Sequence, residues 1–65
     1  MTNTEWNNAL EFLLNASEGD WVEHNGRTII IVDMCGGNYA LYEDKEFYEL
    51  TDDIGIAMLF LANLK

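Results

Sequence analysis

The sequence predicts an α+β fold, in the order α-β-β-β-β-α, as a single small domain over residues 1–65. Three observations predict it. A helical stripe of apolar residues opens the chain, a stretch of period-two alternation punctuated by short polar turns fills the middle, and an almost wholly apolar segment behind an acidic cap closes it.

The first helix is expected over Thr4 to Ala16, where Trp6, Ala9, Leu10, Leu13 and Leu14 recur at i, i+3, i+4, i+7 and i+8 along one face. Thr2 and Glu5 stand in the T-x-x-E spacing of a capping box, with Thr4 the other candidate cap, and Gly19 is positioned to stop the helix in a left-handed conformation.

Beyond Gly19 the period falls to two. Asp20 to His24 reads as a strand, and Asn25-Gly26, tolerant of positive φ, reads as a hairpin turn. The next strand starts at Arg27. Its run Thr28-Ile29-Ile30-Ile31-Val32 is β-branched on both faces, which predicts an interior strand covered on both sides. Gly36-Gly37 marks a second turn, and Asn38 to Tyr42 a third strand with Tyr39 and Leu41 on one face, Ala40 and Tyr42 on the other. After the polar turn Glu43-Asp44-Lys45-Glu46, Phe47 to Leu50 makes a short edge strand, completing an antiparallel meander of three to four strands.

Thr51-Asp52-Asp53 supplies an N-cap side chain and negative charge at the positive end of a helix dipole. The segment Ile54 to Leu64 is then apolar except for Gly55 and Asn63, so its whole circumference calls for cover. One small sheet cannot provide that. A second copy of the chain is the expected cover, with Ile54, Ala57, Met58, Leu61 and Leu64 forming a homodimer contact.

Composition narrows the function. A hydrophobic fraction of 49% with eight aromatic residues is that of a folded chain, not a charge-driven disordered one. Cys35 is the only cysteine, so there is no intrachain disulfide, and a reducing, cytoplasmic setting is expected. The N-terminal stretch lacks a basic region followed by an apolar one. The longest apolar run, Ile56 to Ala62, falls well short of the roughly 20 residues of a membrane span.

Nothing in the chain spells out a reaction. His24 and Cys35 are the only residues from which a Cys-His nucleophile could be assembled, and no orienting group is evident; a hairpin-turn residue and a small core residue explain them. Ser17 lacks the glycines of a nucleophile elbow. The acids of residues 43–53 lack the alternation and central glycine of a calcium loop, so no metal site is expected. Gly36-Gly37 precedes a strand, not a helix N-terminus, and cradles no phosphate. No catalytic residue and no cofactor is expected. Trp21, Tyr39, Tyr42, Phe47 and Tyr48 could stack on nucleobases only in a cationic groove, and Arg27, Lys45 and Lys65 are too few to build one.

What remains is a formal charge of −9 from twelve acids against three bases. Such a chain is repelled by anionic lipid and by phosphate backbones, so direct nucleic-acid binding is not expected and the expected partner is a basic protein. The acids gather in two places: Glu18, Asp20 and Glu23 around the first strand, and Glu43, Asp44, Glu46, Glu49, Asp52 and Asp53 around the last turn, strand and helix cap. If the sheet joins them they make one negative face, with Trp21, Tyr42 or Tyr48 as the candidate central anchor. Carboxylates at alternate strand positions recur about every 6.6 to 7 Å, a row of negative charge such as phosphates make along a nucleic-acid strand.

In size, acidity and lack of catalytic motifs the chain resembles phage-encoded antidefence proteins and DNA mimics. The resemblance lies in overall character, not in any motif. It implies a noncatalytic inhibitor or modulator of a basic, nucleic-acid-binding protein. Two other readings are a structural or assembly module that dimerises through its C-terminal helix, its acidity serving solubility, and an enzyme that depends on His24 or Cys35.

Overall fold

A computed structural model describes residues 1–32 and 37–63. Its order is α1 (Asn3–Asn15), β1 (Trp21–His24), β2 (Arg27–Val32), β3 (Asn38–Glu43), β4 (Glu46–Thr51) and α2 (Ile54–Leu61). This is the predicted α-β-β-β-β-α domain. The four strands form one open antiparallel sheet in the order β1-β2-β3-β4, so each strand pairs only with its neighbours in sequence.

The capping box at the head of α1 is formed. Thr2 N–H donates to Glu5 Oε1 at 2.8 Å, and Glu5 N–H donates to Thr2 Oγ1 at 3.1 Å, so Thr2, not Thr4, is the cap. Ala9 and Leu13 are buried and Trp6 and Leu10 pack against the core, but Leu14 turns outward and is 67% exposed. The helix stops at Asn15, with Ala16 already extended, so Gly19 does not end it. Gly19 instead takes φ +92° in the turn that enters the sheet, where its N–H donates to the Ile31 carbonyl at 2.8 Å.

Both tight hairpins lie at one end of the sheet. Asn25 and Gly26 have φ of 51° and 81°, the double positive φ that a two-residue turn of the primed type demands. The second hairpin has the same shape without a glycine, at Asp44 (φ 51°) and Lys45 (φ 70°). Glu43 and Glu46, expected in that turn, are therefore paired strand residues. Asp44 N–H donates to the Gly26 carbonyl at 2.9 Å and so ties the two turns together. Gly36 of the remaining turn lies outside the described residues, and Gly37 has φ +75°.

Register assigns the faces. Val22, Ile29, Leu41 and Glu49 fall in one row, Ile31, Tyr39 and Thr51 in the next, and both rows point toward the helices. Both helices contribute to the single core there, Ala9 and Leu13 from α1 with Ala57, Met58, Phe60 and Leu61 from α2, around Ile29, Ile31 and Leu41. The alternating residues Ile30, Val32, Ala40 and Leu50 take no part in it. The expectation that β2 is covered on both sides is thus overturned: with both helices on one face, its other face is bare of any element among the described residues.

The dimer contact assigned to α2 also changes. Ala57, Met58 and Leu61 are at most 1% exposed within one chain, and Ile54 packs against the same core, so these four are internal; Leu64 lies outside the described residues. A single sheet face covers more of this helix than its composition suggested, because α1 lies alongside it. Ile56 and Leu59 remain outward, 45% and 47% exposed. Asp53 is the N-cap, its Oδ1 accepting from Gly55 N–H at 2.8 Å and Ile56 N–H at 3.3 Å. The helix closes at Ala62 and Asn63, the latter at φ 62°.

Candidate protein-binding surface

The uncovered face is built from alternate residues of all four strands. One cross-strand row runs Trp21, Ile30, Ala40, Leu50, and the next runs Glu23, Thr28, Tyr42, Phe47. Trp21 and Phe47 are each 60% exposed and Leu50 42%, while Ala40, small and flanked in register by Ile30 and Leu50, is buried. Tyr42 and Phe47 meet edge to face with ring centroids 5.7 Å apart. The face is therefore apolar and aromatic, with Glu23 its one acid among the described strand residues. Contiguous exposed apolar surface of this kind marks interaction sites in soluble proteins.

Tyr48 does not join it. Leu41 pairs with Glu49 and Tyr42 with Phe47, which leaves Tyr48 as the extra residue of a β-bulge. It stacks on Phe60 of α2, centroids 5.1 Å apart and planes 23° off parallel, so it lies on the helix side of the sheet. Of the three aromatic anchors proposed from sequence, Trp21 and Tyr42 share the open face and Tyr48 is on the opposite one.

The acids do not merge into one face; they frame the sheet. Strands β1 and β4 are its two edges, roughly 14 Å apart at three strand spacings. Glu18 and Asp20 sit where the chain enters β1, and Asp52 and Asp53 where it leaves β4, at opposite corners of the end away from the hairpins. Glu43, Asp44 and Glu46 sit at the hairpin end, and Glu49 lies along the β4 edge. Several have structural duties as well: Asp53 caps α2, and Asp20 Oδ2 accepts from Ser17 N–H at 2.9 Å. Among the described residues no strand carries the regular row of alternate carboxylates that the spacing argument invoked, since Glu43 and Glu46 pair across strands and the bulge breaks the alternation toward Glu49.

Arg27 is the residue the sequence reading undervalued. Its Nη2 and Nε donate to Glu43 Oε2 at 2.8 and 3.1 Å, its Nη1 donates to the Phe60 carbonyl at 2.9 Å, and its guanidinium lies 4.5 Å from the Phe60 ring centroid. One of the three cations is thereby used up inside the fold, and Lys45 sits exposed in the second hairpin turn. No local signal marks this; a lone arginine beside a hairpin reads as surface.

Of the two catalytic candidates, His24 is among the described residues. His24 Nδ1 stands 3.9 Å from Glu5 Oε2, and its Nε2 is 3.2 Å from Asn25 Nδ2; Cys35 lies outside the described residues. Hydrogen bonding from the Thr2 backbone, then from its hydroxyl, holds the Glu5 carboxyl below the usual carboxylate range, with smaller help from the charges of His24 and the N-terminus. Among the described residues no group of three or more His, Cys, Asp or Glu is placed to hold a metal ion, and no helix is long and apolar enough to cross a membrane. Comparison with protein-family models, with curated proteins and with solved structures finds no match.

Proposed function

We propose that this protein is a noncatalytic inhibitor or modulator that binds a basic, nucleic-acid-binding protein and occupies the surface that would otherwise take phosphates. The observation that carries this reading is the distribution of charge. Twelve acids against three bases give −9, Arg27 is consumed internally by Glu43 and Phe60, and acids stand at every side of the sheet. A 65-residue domain bears the self-repulsion of that charge at a cost to its own stability, and a partner of opposite sign relieves it.

The test is capture of host nucleic-acid-binding proteins on the immobilised chain at low salt, followed by challenge. Release by duplex DNA and by raised salt is the expected result, because steering and contact are both electrostatic. A captured partner that still binds nucleic acid normally while held by this protein would overturn the reading.

A further inference from the structure

We propose that the uncovered sheet face is the docking surface, and that its occupant is a basic protein whose contact patch has an apolar centre ringed by lysine or arginine. The inference rests on the function proposed above and adds where contact is made and what the partner must present.

Three features of the molecule single out this face. Its apolar residues are contiguous, since Trp21, Ile30, Ala40 and Leu50 are aligned by register across all four strands and Tyr42 and Phe47 touch beside them. Of the exposed apolar residues on the helices, Phe12 and Leu14 belong to α1, and Ile56 and Leu59 line a hollow with Tyr48 and Phe60 that Arg27 and Glu49 also line, not a row across four strands. The face is also rigid, because its backbone is the same hydrogen-bonded sheet whose other side carries the core.

Size and charge then choose the occupant. Taken from strand spacing and rise, the face measures roughly 14 by 17 Å in plan, far less than the about 800 Å² that each partner of a stable complex typically buries. An apolar centre of this size needs a rim that also attracts. Here the rim is Glu18, Glu23, Asp44 and Asp52, so a second copy would set −9 against −9 around too small a centre, whereas a basic partner turns every rim residue into a favourable contact. Aromatic side chains within the patch, here Trp21, Tyr42 and Phe47, with charge at its margin are the usual anatomy of such contacts.

The experiment uses the full ¹⁵N-labelled chain and two helical peptides of equal positive charge. One carries leucines along one face and lysines on the other; in its control every leucine is serine. At low salt the leucine peptide is expected to bind about tenfold tighter or more, a difference of about 1.4 kcal/mol. It is expected to shift the amide signals of Trp21, Ile30, Ala40 and Leu50 and the Trp21 indole, leaving Ile56 and Leu59 unmoved. Trp21→Ser with Leu50→Ser is expected to bring the two peptides to equal affinity while weak lysine-driven binding persists. Should that double variant lose its dispersed spectrum, Phe47→Ser, at a site as exposed as Trp21, takes its place.

Equal affinity of the two peptides for the unaltered chain overturns the docking surface and leaves the proposed function standing. So do shifts centred on Ile56 and Leu59. Failure of both peptides to bind at low salt overturns both. Dimerisation of the chain alone at high salt, with shifts on this face, assigns the face to a second copy and overturns the inference.

Discussion

Arg27 and Glu43 face each other across the β2–β3 pairing, and one carboxylate oxygen takes both Nε and Nη2 of the guanidinium while the remaining arm reaches the Phe60 carbonyl near the end of α2. The arginine is thus a clamp between the sheet and the helix that covers it. Hydrogen bonds that involve a charged group are worth about 1.5–3 kcal/mol each, less where water reaches them. Arg27→Ala is accordingly expected to lower unfolding stability by about 2 kcal/mol, and Arg27→Lys to recover less than half of that, since an ammonium cannot make the same fork. Urea denaturation of the three proteins measures it, and a loss in Arg27→Ala no larger than that of an ordinary surface substitution would show the clamp to be decorative.

The second hairpin holds two non-glycine residues at positive φ, Asp44 and Lys45. Lys45→Gly produces the Asp-Gly pair that such turns favour and is expected to stabilise the chain by about 0.5–1 kcal/mol, read as a rise in Tm.

The first hairpin is expected to behave in the opposite way. A Cβ on Gly26, at φ +81°, would come 2.9 Å from Asp44 Oδ1, whereas one on Gly37, at φ +75°, meets nothing within 4 Å. Both alanine variants carry the backbone penalty of about 1–3 kcal/mol, and Gly26→Ala is expected to be the costlier because it also displaces the Asp44 side chain. Equal losses in thermal melts would mean the contact is relieved freely.

Helix α2 separates core from surface cleanly. Met58→Ala and Leu61→Ala remove side chains that are 1% and 0% exposed and are expected to cost about 2–5 kcal/mol, enough to unfold a domain of this size. Ile56→Ser and Leu59→Ser are expected to cost a small fraction of that. Circular dichroism with denaturant titration ranks the four.

Glu5 gives a pH dependence of definite sign. Its folded pKa is lowered by the capping box, so its contribution is present above its ordinary carboxylate value and is lost as pH falls through the folded value. Wild type is expected to exceed Glu5→Gln in stability at neutral pH, and the gap to close as pH falls below the ordinary carboxylate value and through the lowered folded one. A gap unchanged down to acid pH would remove the charge from the explanation.

Local chemistry wrote the elements plainly. The capping box at Thr2 and Glu5, the Asn25-Gly26 turn and the Asp53 cap all stand where residue type and spacing put them. What the sequence did not disclose was which side of the sheet each helix takes. The β-branched run of β2 looks the same whether its second face is buried by the chain or left for something else, so the sequence alone predicts cover for Ile30 and Val32 as well. The bulge at Tyr48 was equally silent: a strand of Phe47, Tyr48, Glu49 and Leu50 gives no sign that one residue is doubled, yet that doubling moves Tyr48 from the open face to Phe60. Charge counting gave the total of −9 but not its arrangement, because the corners of a sheet are fixed by strand order and not by proximity in sequence.

That strand order has a kinetic side. Because every strand joins only the one before it, no segment must search for a distant mate, and such nearest-neighbour topologies close short loops and zip quickly. Helix α2 comes after all four strands in the chain, so a nascent polypeptide can complete its sheet with only α1 at hand to cover the core face. During that interval the greasy ribbon is at its most aggregation-prone, and mutual repulsion among densely charged chains keeps neighbours apart.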